Sequence, residues 1–305
     1  MQPRIIKSRR IKKIIPKFSF ELFPPKTSKL REQSMICLDQ LTRYAPDFVS
    51  ITYGAGGSSR DKSKDMIKVI QQNHKLEVAP HLTCAGISKT KTLNFAKNCW
   101  DKGIRQMVAL RGDPPKNTNK FKAHPNGFKS SIDLIDGLGK IGFTNIKVGA
   151  YPELHPDSKS MGSNINWLKK KVDAGATSAI TQFFFDAKVF LEFREKSIKA
   201  GINIPIIPGI LPIENYRKTK NMAKRCGTTF PKHLNEQFAK IKIESEEKKI
   251  ALEVSTKMCD KLIKEGVQNF HFYTLNKPIL TSQIIGNLGF SQITQNRGAK
   301  NCSMI

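Results

Sequence analysis

The chain is short of acids: its 305 residues carry 25 Asp+Glu against 52 Lys+Arg, a formal net charge of +27 at pH 7. An excess of that size raises the question of a nucleic-acid partner. The basic residues are spread along the chain, however, and most are lysine rather than the bidentate arginine, with Ile and Asn also abundant. Such a diffuse surplus bears on solubility and non-specific attraction, so no specific nucleic-acid partner is expected. Also missing is any CxxC pair, for the six cysteines (Cys37, Cys84, Cys99, Cys226, Cys259 and Cys302) stand apart. That scatter argues against a disulfide framework or zinc site and for a reducing, cytoplasmic compartment. No apolar run approaches the ~18 residues of a membrane span. The leader MQPRIIKSRRIKKIIPK lacks the apolar core of a secretory signal. It is basic and acid-free, as an organelle transit peptide is, but poor in serine and continuous with a strand-like run, so residues 1–16 read as a solvated basic extension.

What the chain does have is a sustained alternation. Eight apolar, β-branched runs fit buried parallel strands: KFSFELF (17–23), DFVSITYG (47–54), EVAPHLTCAG (77–86), RQMVALRGD (105–113), IKVGAYPE (146–153), SAITQFFFD (178–186), IPIIPGILP (204–212) and NFHFYTLN (269–276). Helical spacing and good helix formers follow the first six, at 28–41, 61–73, 90–102, 130–141, 164–174 and 187–200. The longest interval, 213–268, reads as two or three helices, with a break at 227–231 and a long charged helix at 244–265. Strand and helix in turn imply a parallel sheet with right-handed crossovers. Eight such units imply an α/β fold, a (β/α)8 TIM-type barrel over residues 17–290 with extra helices between strands seven and eight, followed by a polar tail at 291–305.

The run FSFELFPP sets one carboxylate, Glu21, among aromatics near the end of the first strand. Alternation places Ser19 and Glu21 on one face and Phe18, Phe20 and Leu22 on the other. An acid in apolar surroundings is disfavoured as a charge, which raises its pKa and suits it to give up a proton near neutrality. A buried glutamate paired with a basic residue is the other reading, and the run does not choose between them.

Barrel active sites form at the C-terminal ends of the strands. There the sequence puts Glu21, Thr52, Tyr53, His81, Thr83, Arg111, Asp113, Tyr151, Glu153, His155, Gln182, Tyr273 and Asn276. Any one of these could be a satisfied core polar group, but together they point to an active site. The loop YGAGGSSR (53–60) fails the dinucleotide fingerprint because Ser59 stands at the third glycine position. Its glycines would still let backbone amides approach a phosphate or flat ring. His81, His155 and His271 lie near strand ends, yet no His-x-His pair marks the first strand and no metal is expected.

Taken in register, FSFELFPP, FVSITYGAGGSSR, PHLTC, ALRGDPP, AYPELHPDS, KVDAGATSAITQFFFD, IIPGILPI and HFYTLNKP resemble the methylenetetrahydrofolate reductase family. In length the chain is similar to the bacterial form, a catalytic barrel without the regulatory domain of eukaryotic relatives. The resemblance implies an FAD-containing homo-oligomer that uses NADH or NADPH to convert methylenetetrahydrofolate to methyltetrahydrofolate in a ping-pong cycle, supplying methyl groups for methionine synthesis. It implies Glu21 as the acid that protonates a folate ring nitrogen, opening the five-membered ring to an iminium. Asp113 then tunes the flavin and stabilises that cation. The implied flavin contacts are Thr52, Tyr53, Ala55, His81, Arg111, Gly112, Asp113, Tyr151, His155, Asn164, Trp167, Lys170 and Lys171. The implied substrate contacts are Thr52, Gln182, Phe183, Tyr273 and Lys277. Two departures stand out: Asn164 and Trp167 replace an aspartate and an asparagine common in relatives, and Lys170 and Lys277 replace arginines, losing bidentate geometry. The alternatives are another flavin barrel, similar to proline dehydrogenase, and a basic nucleic-acid-binding protein on a barrel scaffold.

Overall fold

The computed structural model describes residues 15–52, 60–113 and 121–292. Strand and helix alternate as β1 (Lys17–Leu22), α1 (Ser28–Thr42), β2 (Phe48–Ile51), α2 (Arg60–His74), β3 (Val78–Thr83), α3 (Lys89–Asp101), β4 (Gln106–Leu110), α4 (Ser131–Gly139), β5 (Asn145–Ala150), α5 (Met161–Asp173), β6 (Ser178–Thr181) and α6 (Ala187–Lys199). Side-chain caps begin several of these helices: Ser130 and Ser160 each close a capping box, and Asp186 accepts from Lys188 N–H. Every strand pairing is parallel, in the order β7-β6-β5-β4-β3-β2-β1-β9-β8.

The seventh strand departs from expectation. The run 204–212 forms two short pieces, β7 (Ile206–Ile207) paired with β6 and β8 (Gly209–Ile210) paired with β9 (Asn269–Tyr273). Pro208 separates them and has no N–H to lend a ladder. Its carbonyl accepts His271 N–H at 3.0 Å, while Gly209 N–H turns to Thr181 Oγ1 at 2.9 Å. One bent segment therefore holds β6 by its first half and β9 by its second, bringing the sheet round to a nearly closed barrel.

Three helices fill the long interval: α7 (Tyr216–Cys226), α8 (Lys232–Ala239) and α9 (Glu244–Lys264). Gly227, at φ 70, ends the first of them in the left-handed conformation that glycine adopts without strain. A further helix, α10 (Pro278–Asn287), follows the last strand, where the sequence reading placed no named element. Its signal was present in Pro278 at the first turn and in Leu280, Ile284 and Ile285, all buried, at helical spacing.

Alternation in β1 divides the core as expected. Phe18, Phe20 and Leu22 join Phe270 and Phe272 in the layer between strands and helices. A second, smaller cluster unites Phe48, Ala79, Val108, Ile180 and Ile207, which come from five different strands and can meet only inside the barrel. Lys147 shares that interior, with Nζ 4.3 Å from the Phe48 ring centroid and 3.0 Å from Asn145 Oδ1. Burial lowers its pKa from 10.5 to about 8, opposed by the Asp47 and Glu77 carboxylates. A folded pKa below the unfolded one means that stability is lost as pH falls from 10.5 to about 8. Lys147→Met is therefore expected to stabilise the protein by about 1–3 kcal/mol at neutral pH. Urea midpoints should show that gain shrinking as pH rises above about 8.

Candidate active site at the barrel mouth

Glu21 stands opposite Ser50 of β2 and Tyr273 of β9, and only 7% of it is exposed. Burial raises its pKa from 4.5 to about 8. Beside it is His81 of β3, whose Nε2 lies 3.5 Å from Glu21 Oε2. Burial depresses that imidazole to about 4. Near pH 7 both groups are held neutral, so the contact is a carboxylic acid facing an imidazole and not an ion pair. At 3.5 Å it falls short of a good hydrogen bond, and His81 Nε2 is buried without a partner among the described residues.

Aromatic and amide groups stand beside this pair. Tyr273 Oη donates to Thr181 O at 2.7 Å, and its ring meets Phe183 edge-on at 6.3 Å. Burial holds the phenol well above its usual range, with the Glu21 and Tyr151 sites acting in the same direction. Gln182 Oε1 accepts the N–H of Phe183, itself buried, at 3.1 Å. Lys277, beyond β9, pairs with Glu214 at 3.5 Å. Thr52 is half-buried and donates its N–H to Leu22 O at 3.1 Å.

The ends of β4 and β5 form a second group. Arg111 Nη1 donates to Asp157 Oδ2 at 2.6 Å, Asp157 N–H donates to His155 Nδ1 at 3.0 Å, and the His155 ring packs edge-on against Tyr151 at 4.3 Å. Gly112 has φ +89, and an added Cβ would lie 2.9 Å from Ala85 Cβ, so a side chain is excluded there. Asp113 follows it and is exposed.

Asn164 and Lys171 reach inward to the loop and strand. Asn164 Nδ2 donates to Tyr151 O at 2.8 Å and Glu153 O at 3.2 Å, and Lys171 Nζ donates to Gly149 O at 2.7 Å. Trp167 is 43% exposed, with Lys170 Nζ 5.9 Å from its ring centroid. Tyr53 and Ala55 lie outside the described residues. Asp157 and Thr181 did not emerge from the sequence, although the first sits in HPDS beside His155 and the second ends a strand. The described residues contain no group of three His, Cys, Asp or Glu placed to hold a metal ion.

A parallel barrel whose mouth gathers a buried carboxyl group, an imidazole nitrogen without a hydrogen-bond partner among the described residues and aromatic side chains has the architecture of a barrel enzyme. The methylenetetrahydrofolate reductase family model matches residues 7–289, and the chain belongs to that family, as its motifs implied. It is 40% identical over 272 residues to the 5,10-methylenetetrahydrofolate reductase of Salmonella typhimurium, covering 89% of this chain and 90% of that protein. The corresponding protein of Buchnera aphidicola subsp. Acyrthosiphon pisum is 42% identical, with 89% of this chain and 91% of that one covered. Methylenetetrahydrofolate reductase (NADH) 1 of Arabidopsis thaliana is 38% identical over 284 residues, which span 89% of this chain but 48% of the plant protein. Among solved structures, a Clostridium thermocellum protein described as binding two copies of 5-methyl-5,6,7,8-tetrahydrofolic acid shares the fold, with a TM-score of 0.60 at 14% identity over 90% of this chain and 95% of that one.

Proposed function

We propose that the chain reduces 5,10-methylenetetrahydrofolate to 5-methyltetrahydrofolate, with FAD at the barrel mouth and NADH or NADPH as donor. Substrate, reduced nicotinamide and one proton give product and oxidised nicotinamide. The observation that carries this reading is Glu21, a buried acid held protonated near neutral pH at the strand ends of a family barrel. Its role is to donate that proton to a folate ring nitrogen, opening the five-membered ring to a reducible iminium. Tyr273 and Phe183 provide an aromatic wall beside it, and Gln182 and Lys277 are the polar groups assigned to substrate. Asp113 offers a negative charge to the cationic iminium.

The mouth fits a flavin. His81 Nε2 is a buried polar atom without a hydrogen-bond partner among the described residues, Tyr151 is an aromatic surface, and Arg111 and Lys170 are cations for a pyrophosphate. Bound FAD would supply the hydride chemistry, while the barrel supplies orientation and electrostatics. The same reading makes the protein a cytoplasmic homo-oligomer whose product feeds methionine synthesis.

Anaerobic titration of the purified holoprotein tests this. Absorbance near ~450 nm should bleach with NADH or NADPH and return on adding methylenetetrahydrofolate. Bleaching by proline but not by nicotinamide would transfer the chain to a different flavin chemistry. Colourless protein with tight, salt-dependent nucleic-acid binding would sink the reading altogether.

A further inference from the structure

The C-terminal end of β1 outlasts its main-chain partner in β9. That ladder ends at Glu21 and Tyr273, and Phe23 is followed by Pro24 and Pro25, which bring no N–H. On the β2 side Leu22 O still accepts Thr52 N–H at 3.1 Å. On the β9 side a side chain takes over. Asn276 Oδ1 accepts Phe23 N–H at 2.8 Å and Asn276 Nδ2 donates to Phe23 O at 2.8 Å, the two contacts a neighbouring strand's backbone would make. Nδ2 also donates to Ser34 Oγ at 2.8 Å, and Ser34 is buried on α1. Two residues earlier, Thr274 Oγ1 donates to Glu21 O at 2.7 Å and accepts Asn276 N–H at 3.1 Å.

The turn that carries these groups is conformationally strained. Leu275 and Asn276 are consecutive non-glycine residues at φ 52 and φ 56. Glycine would make the same turn more easily but would lack the amide that grips Phe23. We infer that Asn276, together with Thr274, is a positioning residue for the proton donor Glu21, fixing the strand end from which its carboxyl group projects. This rests on the proposed folate reduction. The clamp holds the carbonyl of Glu21 and the backbone of Phe23 just beyond it, so loosening it alters both the aim of the acid and its shelter from water. Among the described residues the titratable groups facing Glu21 are His81 from β3 and Tyr273 from β9. The residue after the clamp is Lys277, so the same turn also places a group assigned to substrate.

The test uses the flavin-loaded enzyme and follows its two half-reactions separately by stopped flow. Asn276→Gly, which keeps the turn and removes the amide, is expected to slow folate reduction by roughly 10- to 100-fold. It should also move the alkaline limb of that step to lower pH, because water reaching Glu21 restores a more ordinary carboxyl group. Flavin reduction by nicotinamide should stay within about twofold of wild type, since that step uses no proton from Glu21. Thr274→Val should act in the same direction as Asn276→Gly, and Thr274→Ser, which retains the hydroxyl, should restore the rate. If Asn276→Gly does not fold, the Thr274 pair carries the test. Unchanged folate kinetics and pH profile in these variants would overturn the positioning role, as would an equal fall in both half-reactions. A wild-type enzyme whose flavin is not reoxidised by methylenetetrahydrofolate would instead overturn the proposed function, leaving the two failures distinguishable.

Discussion

Glu21→Gln is expected to slow the reduction of methylenetetrahydrofolate by about 10²- to 10⁴-fold while flavin reduction by nicotinamide continues, the range typical of losing one positioned acid. Glutamine keeps the shape and polarity of the side chain but carries no acidic proton. In the wild type that proton is retained by burial, because an ionised carboxylate so poorly exposed would lose its hydration. Folate reduction should therefore decline as pH rises through about 8, and this limb should vanish in the variant. Rapid-mixing measurements of each half-reaction across pH 6 to about 10 would decide the matter. Equal loss in both would make Glu21 a structural or flavin-holding residue.

The same burial has a consequence for stability. Glu21's folded pKa, about 8, exceeds its ordinary 4.5, so its contribution is fully present below 4.5 and is lost as pH rises to about 8. The full difference is on the order of 5 kcal/mol. His81 works in the opposite sense: its pKa falls from 6.5 to about 4, so its contribution is present above 6.5 and lost as pH falls towards 4. The two slopes oppose one another between pH 4.5 and 6.5, and of this pair only Glu21 acts from 6.5 to 8. Glu21→Gln should accordingly unfold at a higher temperature than wild type at pH 8 to about 9, with the advantage narrowing in acid. Higher stability with lower activity is the pattern of a group kept for its chemistry.

Much of this architecture was legible because strands buried on both faces read as short apolar runs and the helices between them keep a different period. The six early helices and the break at Gly227 follow from such local signals. What escaped depends on partners far away in sequence. Pro208 was visible within its run, but that it splits one strand between two neighbours depends on β6 and β9 both lying alongside. Asn276 could be placed at a strand end, yet its clamp on Phe23 joins residues 253 apart. The neutral contact of Glu21 with His81 likewise arises where β1, β2 and β3 lie side by side. Nor did the sequence show that the amide of Asn164 and the ammonium of Lys171, residues for which resemblance implies cofactor contacts, hold carbonyls of the β5 region. Residue type at a position suggests chemistry, and the direction of the side chain is settled by packing.

Gly209→Ala is expected to destabilise the barrel by about 3 kcal/mol or more, near the severe end for one methyl group. An added Cβ would lie 2.1 Å from Thr181 O and 2.6 Å from Tyr273 Cε2. The first of these is backbone and cannot rotate aside. Nor can Gly209 readily retreat, for its N–H is bonded to Thr181 Oγ1 at 2.9 Å and it is in register with His271 of β9. Tyr273 is fixed in turn by its bond to the same Thr181 carbonyl at 2.7 Å. The methyl group would push apart β6 and β8, the junction where the bent strand brings the barrel round, and would displace the aromatic wall beside Glu21. Urea unfolding should show a lower midpoint, and the surviving folded fraction should lose folate reduction more than nicotinamide oxidation. Gly286→Ala is the matched control, since nothing lies within 4 Å of its added Cβ in α10. Alanine's greater helix propensity should there raise stability by about 0.5 kcal/mol. A Gly209→Ala protein with the wild-type midpoint would mean that the junction can relax around a methyl group, and that Pro208 and Gly209 do not hold the barrel closed.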